Sequence, residues 1–182
     1  MKLKPHVLFV LSASTLLATA IGAGAAHPRP PQQPVKVDPA VMAKSVGEMT
    51  ADEEQQFSDA AEATIQRVCI LCHPFENIVK TRRTIREWNE QITVMKGRGA
   101  PGTDQDFATA RKYLSRYYGI VRVNSATAEE LTSVLGLSPK AANAVVEYRT
   151  AHGKIPDLET FLKIDGIDKA KIEEQPEALR FD

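Results

Sequence analysis

The sequence predicts an all-α chain built as two small helical units in series. Three observations lead there. Thr50 and Thr84 each stand three residues before a glutamate (Glu53, Glu87) and just ahead of apolar residues at helical spacing, the pattern of a capping box. From Val121 onward, short helical stretches alternate with two similar phrases, Leu135-Gly136-Leu137-Ser138 and Asp165-Gly166-Ile167-Asp168. No alternating apolar and polar run of strand length occurs.

The elements follow in order. Residues 1–26 have the layout of a secretory signal: Lys2 and Lys4, an apolar run from Val7 to Ile21, and small residues at Gly24-Ala25-Ala26. The run is shorter than the roughly 20 residues that span a bilayer, so cleavage is expected in preference to an uncleaved anchor, and no later segment is a membrane span. The mature chain is thus expected to be periplasmic or otherwise exported, and soluble. Residues 27–44 hold Pro28, Pro30, Pro31, Pro34 and Pro39 and are expected to be an unstructured linker.

A helix is expected after Thr50, apolar at Phe57, Ala60, Ala61, Ile65 and Val68, leading into Cys69. A second follows Thr84, with Ile85, Trp88, Ile92 and Met95 on one stripe and a stop at Gly97 and Gly99. A third follows Thr103, through Phe107, Ala110, Leu114 and Tyr117. These form the first unit, residues 45–120. In the second, 121–182, helices are expected at Ala128–Leu135, Pro139–Ala151, Leu158–Lys163 and Lys169–Glu174.

Bulk charge narrows the function. The chain of 182 residues carries 23 basic and 23 acidic side chains, a balance unlike that of a strongly cationic nucleic-acid binder. Both cysteines of the chain lie in Cys69-Ile70-Leu71-Cys72-His73. Cys-x-x-Cys-His is the attachment signature of c-type haem: two thiols bond the porphyrin vinyl groups and the adjacent imidazole takes the iron. Attachment after export agrees with the signal-like start. The competing chemistries are weaker. A thioredoxin-like pair wants a strand-rich fold, structural zinc wants four ligands, and a plain disulfide leaves His73 without a role. One haem c on Cys69 and Cys72, with His73 on the iron, is therefore expected. Met95, the one methionine after the motif, is the candidate distal ligand; the alternatives are that it only fills the core near Trp88, or that His152 serves.

Residues 50–119 resemble the small monohaem cytochromes related to the haem-binding domain of quinohaemoprotein amine dehydrogenase. The matching features are Cys69-x-x-Cys72-His73, Arg83-Thr84-x-x-Glu87-Trp88-x-x-x-Ile92-x-x-Met95, Gly99-Ala100-Pro101 and Tyr113-Leu114-x-x-x-Tyr117. That resemblance implies a cytochrome c-like helical domain, haem c between the helices, Met95 as distal ligand, and a redox partner protein, either a dehydrogenase or a terminal acceptor. It implies an electron carrier and not an enzyme; a small haem enzyme such as a peroxidase would need an open distal position.

Residues 121–174 resemble the ComEA-type helix-hairpin-helix domain of competence DNA receptors, through Asn124, Ala126, Leu131, Gly136, Ala141, Tyr148, Arg149, Gly153, Phe161 and Gly166. That fold binds DNA with the helix starts that follow its glycine hairpins. Gly136, Ser138, Lys140 and Gly166 are the candidate phosphate or partner contacts. Here Ser138 and Asp168 replace the second glycine of each hairpin, and an aspartate at a helix start repels phosphate. Residues 121–182 carry eight basic and eleven acidic side chains, a net charge of −3. Protein docking is thus expected ahead of DNA binding, as in the photosystem II extrinsic subunit that shares this fold. The alternative is an exported, competence-like DNA-binding protein with an accessory haem domain.

Overall fold

A computed structural model describes residues 37–182. The signal-like segment 1–26 and linker residues 27–36 lie outside the described residues. The described chain is mostly helical, and each longer helix starts where side-chain chemistry provides a cap.

Asp38 accepts the Ala40 N–H at 2.8 Å and opens α1 (Pro39–Ala43), whose Val41 is buried. Pro39–Ala43 are therefore helical where a proline-rich linker without a helix was expected. Proline is tolerated at the first helical position, where the missing N–H has no intrahelical partner anyway. The Lys112 ammonium donates to the carbonyls of Val41, Met42 and Lys44 at 3.3, 3.1 and 2.6 Å, which satisfies the free C-terminal end of this short helix.

α2 (Ala51–Val68) begins at a two-way capping box, with the Glu53 N–H donating to Thr50 Oγ1 and the Thr50 N–H to Glu53. The motif cysteines follow its end, and Pro74 starts the short α3 (Phe75–Val79). α4 (Ile85–Gly97) and α5 (Asp104–Tyr118) open with boxes at Thr84–Glu87 and Thr103–Asp106. Phe57, Ala61 and Ile65 of α2 pack with Trp88 of α4 and with Ala110, Tyr113 and Leu114 of α5. Trp88 is fully buried, and its indole N–H donates to the Tyr118 carbonyl at 3.3 Å. Each such large apolar side chain stabilises the fold by about 1.5–3 kcal/mol.

β1 (Val121–Arg122) pairs in parallel with β2 (Leu179–Arg180), a two-residue pairing that no periodicity could announce. Between them run α6 (Ala128–Leu135), α7 (Pro139–His152), α8 (Leu158–Phe161) and α9 (Lys169–Glu173). Their core is a second cluster, including Val123, Leu131, Val134, Leu135, Val145, Ile155, Phe161 and Ile172. Asn124 closes this unit: its amide donates to the carbonyls of Ile155 and Phe181 at 3.0 Å and accepts the Ile155 N–H at 2.8 Å.

The two clusters meet through α5 and α6. Arg116, whose side chain is 10% exposed, donates to Glu54 at 3.0 Å, to the Val134 carbonyl at 3.2 Å and to Gln175 at 2.7 Å. Gly47 lies on the first hairpin turn so closely that a Cβ there would fall 1.8 Å from the Leu137 carbonyl oxygen.

Candidate functional site

α2 stops at Val68, and Cys69 continues the helical geometry as its cap, its N–H donating to the Ile65 carbonyl at 2.8 Å. The chain then turns through Ile70, Leu71 and Cys72 to His73. This sets the two thiols in different surroundings. Cys69 is half-buried, and burial pushes its thiol up to about 11; Cys72 is exposed. No disulfide joins them.

Cys69, Cys72, His73 and Met95 all line one cavity of about 420 Å³. That volume falls within the 300–1,000 Å³ or so usual for small-molecule and cofactor sites. α2 contributes Val68, α4 contributes Trp88, Ile92 and Met95, and α5 contributes Phe107, Ala110 and Leu114. The wall is thus largely apolar, with the thiol, thioether and imidazole groups set into it. Because Cys72 is both exposed and part of the wall, the cavity reaches solvent on the cysteine side. Leu71, between the thiols, is 64% exposed.

The His73 ring lies with Nδ1 3.4 Å from the Pro74 carbonyl oxygen, a long hydrogen bond in the tautomer that carries its proton there. That tautomer leaves Nε2 as the lone-pair nitrogen, the arrangement usual for a metal-ligating histidine. His152 is not on the cavity wall; it ends α7, stacked on Tyr148 at 4.5 Å. Among the described residues no group of three or more His, Cys, Asp or Glu side chains is arranged to hold a metal ion. The donor set here is two thiols, an imidazole and a thioether around an apolar space, which suits a porphyrin held covalently and leaves a bare structural zinc short of ligands.

Among the wall residues that the sequence does not single out as site residues are Asn77, Gln91, Arg83 and Arg98. Arg83 precedes the capping box, and Arg98 follows the glycine that ends α4. Arg83 opens the Arg83-to-Met95 phrase of the cytochrome resemblance, whereas the signal for Arg98 was only its closeness to Met95.

The hairpin residues separate into covered and open ones. Gly136 caps α6 with φ of 65°, donates its N–H to the Thr132 carbonyl at 3.0 Å, and is buried. A Cβ there would stand 2.9 Å from the end of the Lys171 side chain, so this glycine is packed from within the protein. Ser138 and Lys140 are exposed at the start of α7, where Ser138 Oγ accepts the Ala141 N–H at 3.2 Å. Gly166 (φ 82°) is exposed, and its α-carbon faces the first turn of α7: a Cβ would sit 3.5 Å from the Ala141 Cβ. The two hairpin turns are therefore neighbours. The second is acidic, and Asp168 accepts the Lys171 N–H at the start of α9. No helix among the described residues is long and apolar enough to cross a membrane.

Comparison with known proteins bears on the hairpin unit. Residues 117–180 match the family described as helix-hairpin-helix motif. The chain is 37% identical over 62 residues to an uncharacterised protein of Haemophilus influenzae, which covers 34% of this chain and 55% of that protein. It is 35% identical over 54 residues to ComE operon protein 1 of Bacillus subtilis, covering 30% of this chain and 26% of the relative. Endonuclease/exonuclease/phosphatase family domain-containing protein 1 of Mus musculus is 44% identical over 50 residues, 28% of this chain and 9% of that protein. The chain thus spans from about a tenth to about half of the length of these relatives. No solved structure matches it. The chain therefore carries a helix-hairpin-helix domain after a helical unit that holds the cysteine-lined cavity.

Proposed function

We propose that this chain is an exported c-type cytochrome that carries electrons through one covalently attached haem and uses its helix-hairpin-helix domain to dock a redox partner. One observation carries this reading: Cys69, Cys72, His73 and Met95, spread over 27 positions of sequence, line a single apolar cavity. A folded core without a cofactor has no reason to leave so large a space beside two thiols and an imidazole.

When bound, the haem supplies a one-electron iron couple. The chain's own residues do the rest. Cys69 and Cys72 anchor the group in place. His73, with its Nδ1 proton directed at the Pro74 carbonyl, offers Nε2 to the metal. Met95 offers a thioether, which favours the reduced state and raises the potential. Trp88, Ile92, Phe107 and Leu114 exclude water, which strengthens the electrostatic influence of nearby charges. The exposed edge at Leu71 and Cys72 gives a partner a short approach to the site.

The test is spectroscopy of the full chain expressed with haem-attachment machinery. The expected result is a reduced-minus-oxidised c-type spectrum that survives denaturation. Met95→Ala should keep the covalent haem and lower the reduction potential. A chain that stays colourless overturns the cytochrome reading, and an unchanged potential in Met95→Ala removes that residue from the iron.

A second reading is favoured by the family match over 117–180 and by the likeness to ComE operon protein 1: a competence-like DNA-binding protein with an accessory haem domain. Ser138 and Lys140 are exposed where a phosphate would approach. Against it stand the buried Gly136, the acidic second hairpin and the net charge of −3 over 121–182. Phosphate contacts make DNA affinity fall steeply with salt. The docking reading predicts no retention of the full chain by duplex DNA in an electrophoretic shift even at low salt. Retention that salt abolishes, and that Lys140→Glu weakens, would establish the second reading.

A further inference from the structure

We infer that Arg83 and Arg98 form the anion-recognising wall of the cavity and pair with the two carboxylates of the haem, an assignment that rests on the cytochrome reading. The side chains lining the cavity include these two guanidinium groups and no aspartate or glutamate. Their polar company is neutral, Asn77 and Gln91 among them. A half-buried guanidinium at Arg83 and an exposed one at Arg98 border an apolar space with no carboxylate on its wall, an arrangement that favours an occupant that brings the anion. A porphyrin with two carboxylate arms is such an occupant: an apolar plate with negative charge on one edge.

The rest of the neighbourhood assigns partners to other cations and leaves these two without one. Lys96 is bound to Asp104 at 2.7 Å, Arg86 to Glu90 at 2.8 Å, and Arg67 to Asp106 at 2.6 Å. Among the described residues neither Arg83 nor Arg98 forms a salt bridge. Residues 1–36 contain no aspartate or glutamate that could supply one. Arg83 is nonetheless held in position. Its guanidinium lies 4.9 Å from the Trp88 ring centroid, and one terminal nitrogen donates to the carbonyls of Thr81 at 2.8 Å and Ile78 at 3.3 Å. The other donors of its planar fork remain for a carboxylate, a pairing that arginine makes in bidentate form. Arg98 is exposed at the end of α4, three residues beyond Met95, and its side chain has no hydrogen bond among the described residues. One guanidinium is thus fixed and the other free to close on the second arm.

The consequence for function is electrostatic. A cation beside the haem disfavours the more positive oxidised state, so both arginines raise the potential. The experiment compares the haem-loaded full chain with Arg98→Gln, Arg83→Gln, Arg98→Lys and, as a charge-removal control, Arg86→Gln on the exposed face of α4. Covalent haem content and reduction potential are measured for each. Arg98→Gln and Arg83→Gln should retain the haem and shift the potential downward by clearly more than Arg86→Gln, and Arg98→Lys should recover most of the shift. Potentials of Arg98→Gln and Arg83→Gln no lower than that of Arg86→Gln, in proteins that carry haem normally, overturn the assignment while leaving the cytochrome reading intact. Absence of covalent haem from the unsubstituted chain overturns both. If Arg83→Gln fails to fold for want of its contact with Trp88, the exposed Arg98 decides the matter alone.

Discussion

Asp106 shows how one side chain serves two elements. It accepts the Thr103 N–H at 2.8 Å within the capping box of α5, and it pairs with Arg67 of α2 at 2.6 Å. The Arg67 guanidinium, ahead of every other influence, holds its carboxyl down to about 2 from an ordinary 3.8. A folded-state pKa below the unfolded one means that this pair adds stability above about pH 4 and loses it as pH falls toward 2. Asp106→Ala should therefore cost about 1–2 kcal/mol at neutral pH, from a lost cap and a half-exposed ion pair. The gap from the unsubstituted chain should narrow below pH 4 in chemical denaturation. A gap independent of pH would show that the charge contributes nothing. The cap was legible at Thr103, because a threonine at a helix start is a local signal. Its Arg67 partner is 39 residues away, and the sequence offers no sign of that pairing.

At the scale of elements, the long helices of the first unit were legible because caps and 3.6-residue periodicity agree. α1 and α3, at five residues each, are too short for periodicity to register, and both depend on tertiary contacts such as those of Lys112. The first hairpin presents a sharper case. Its glycine phrase is plain in the sequence, but what lies on it is not. Gly47 meets Leu137 backbone to backbone, and Lys171 and Arg116 close over Gly136. This turn is therefore a joint within the molecule, and it is Ser138, Pro139 and Lys140 at its far side that face solvent. Gly47→Ala puts a methyl group into the Leu137 carbonyl and should cost about 1–3 kcal/mol in thermal or chemical unfolding, the usual range for overpacking. Unfolding indistinguishable from that of the unsubstituted chain would mean that the joint yields freely.

The molecule as a whole joins a cysteine-lined cavity to a helix-hairpin-helix domain. The candidate ligands were legible because the Cys-x-x-Cys-His signature compresses three of them into five residues. Met95 was legible from the scarcity of methionine beyond the motif. The arginines were not, since a cation's meaning depends on which carboxylates fold beside it, and here none does. Nor was the tie between the units, where Arg116 reaches Glu54, Val134 and Gln175 across wide sequence separations. That tie joins the hairpin unit to the unit that holds the cavity, and on the proposed reading a redox partner docked on the hairpin domain would stay near the exposed Leu71 edge. The most direct measurement is mass spectrometry of the chain expressed with haem-attachment machinery, after denaturation, reduction and alkylation. The peptide containing Cys69 to His73 should carry the added mass of one haem, with both sulfurs refractory to the alkylating reagent. Two alkylated thiols on that peptide, with no haem attached, would contradict the cytochrome.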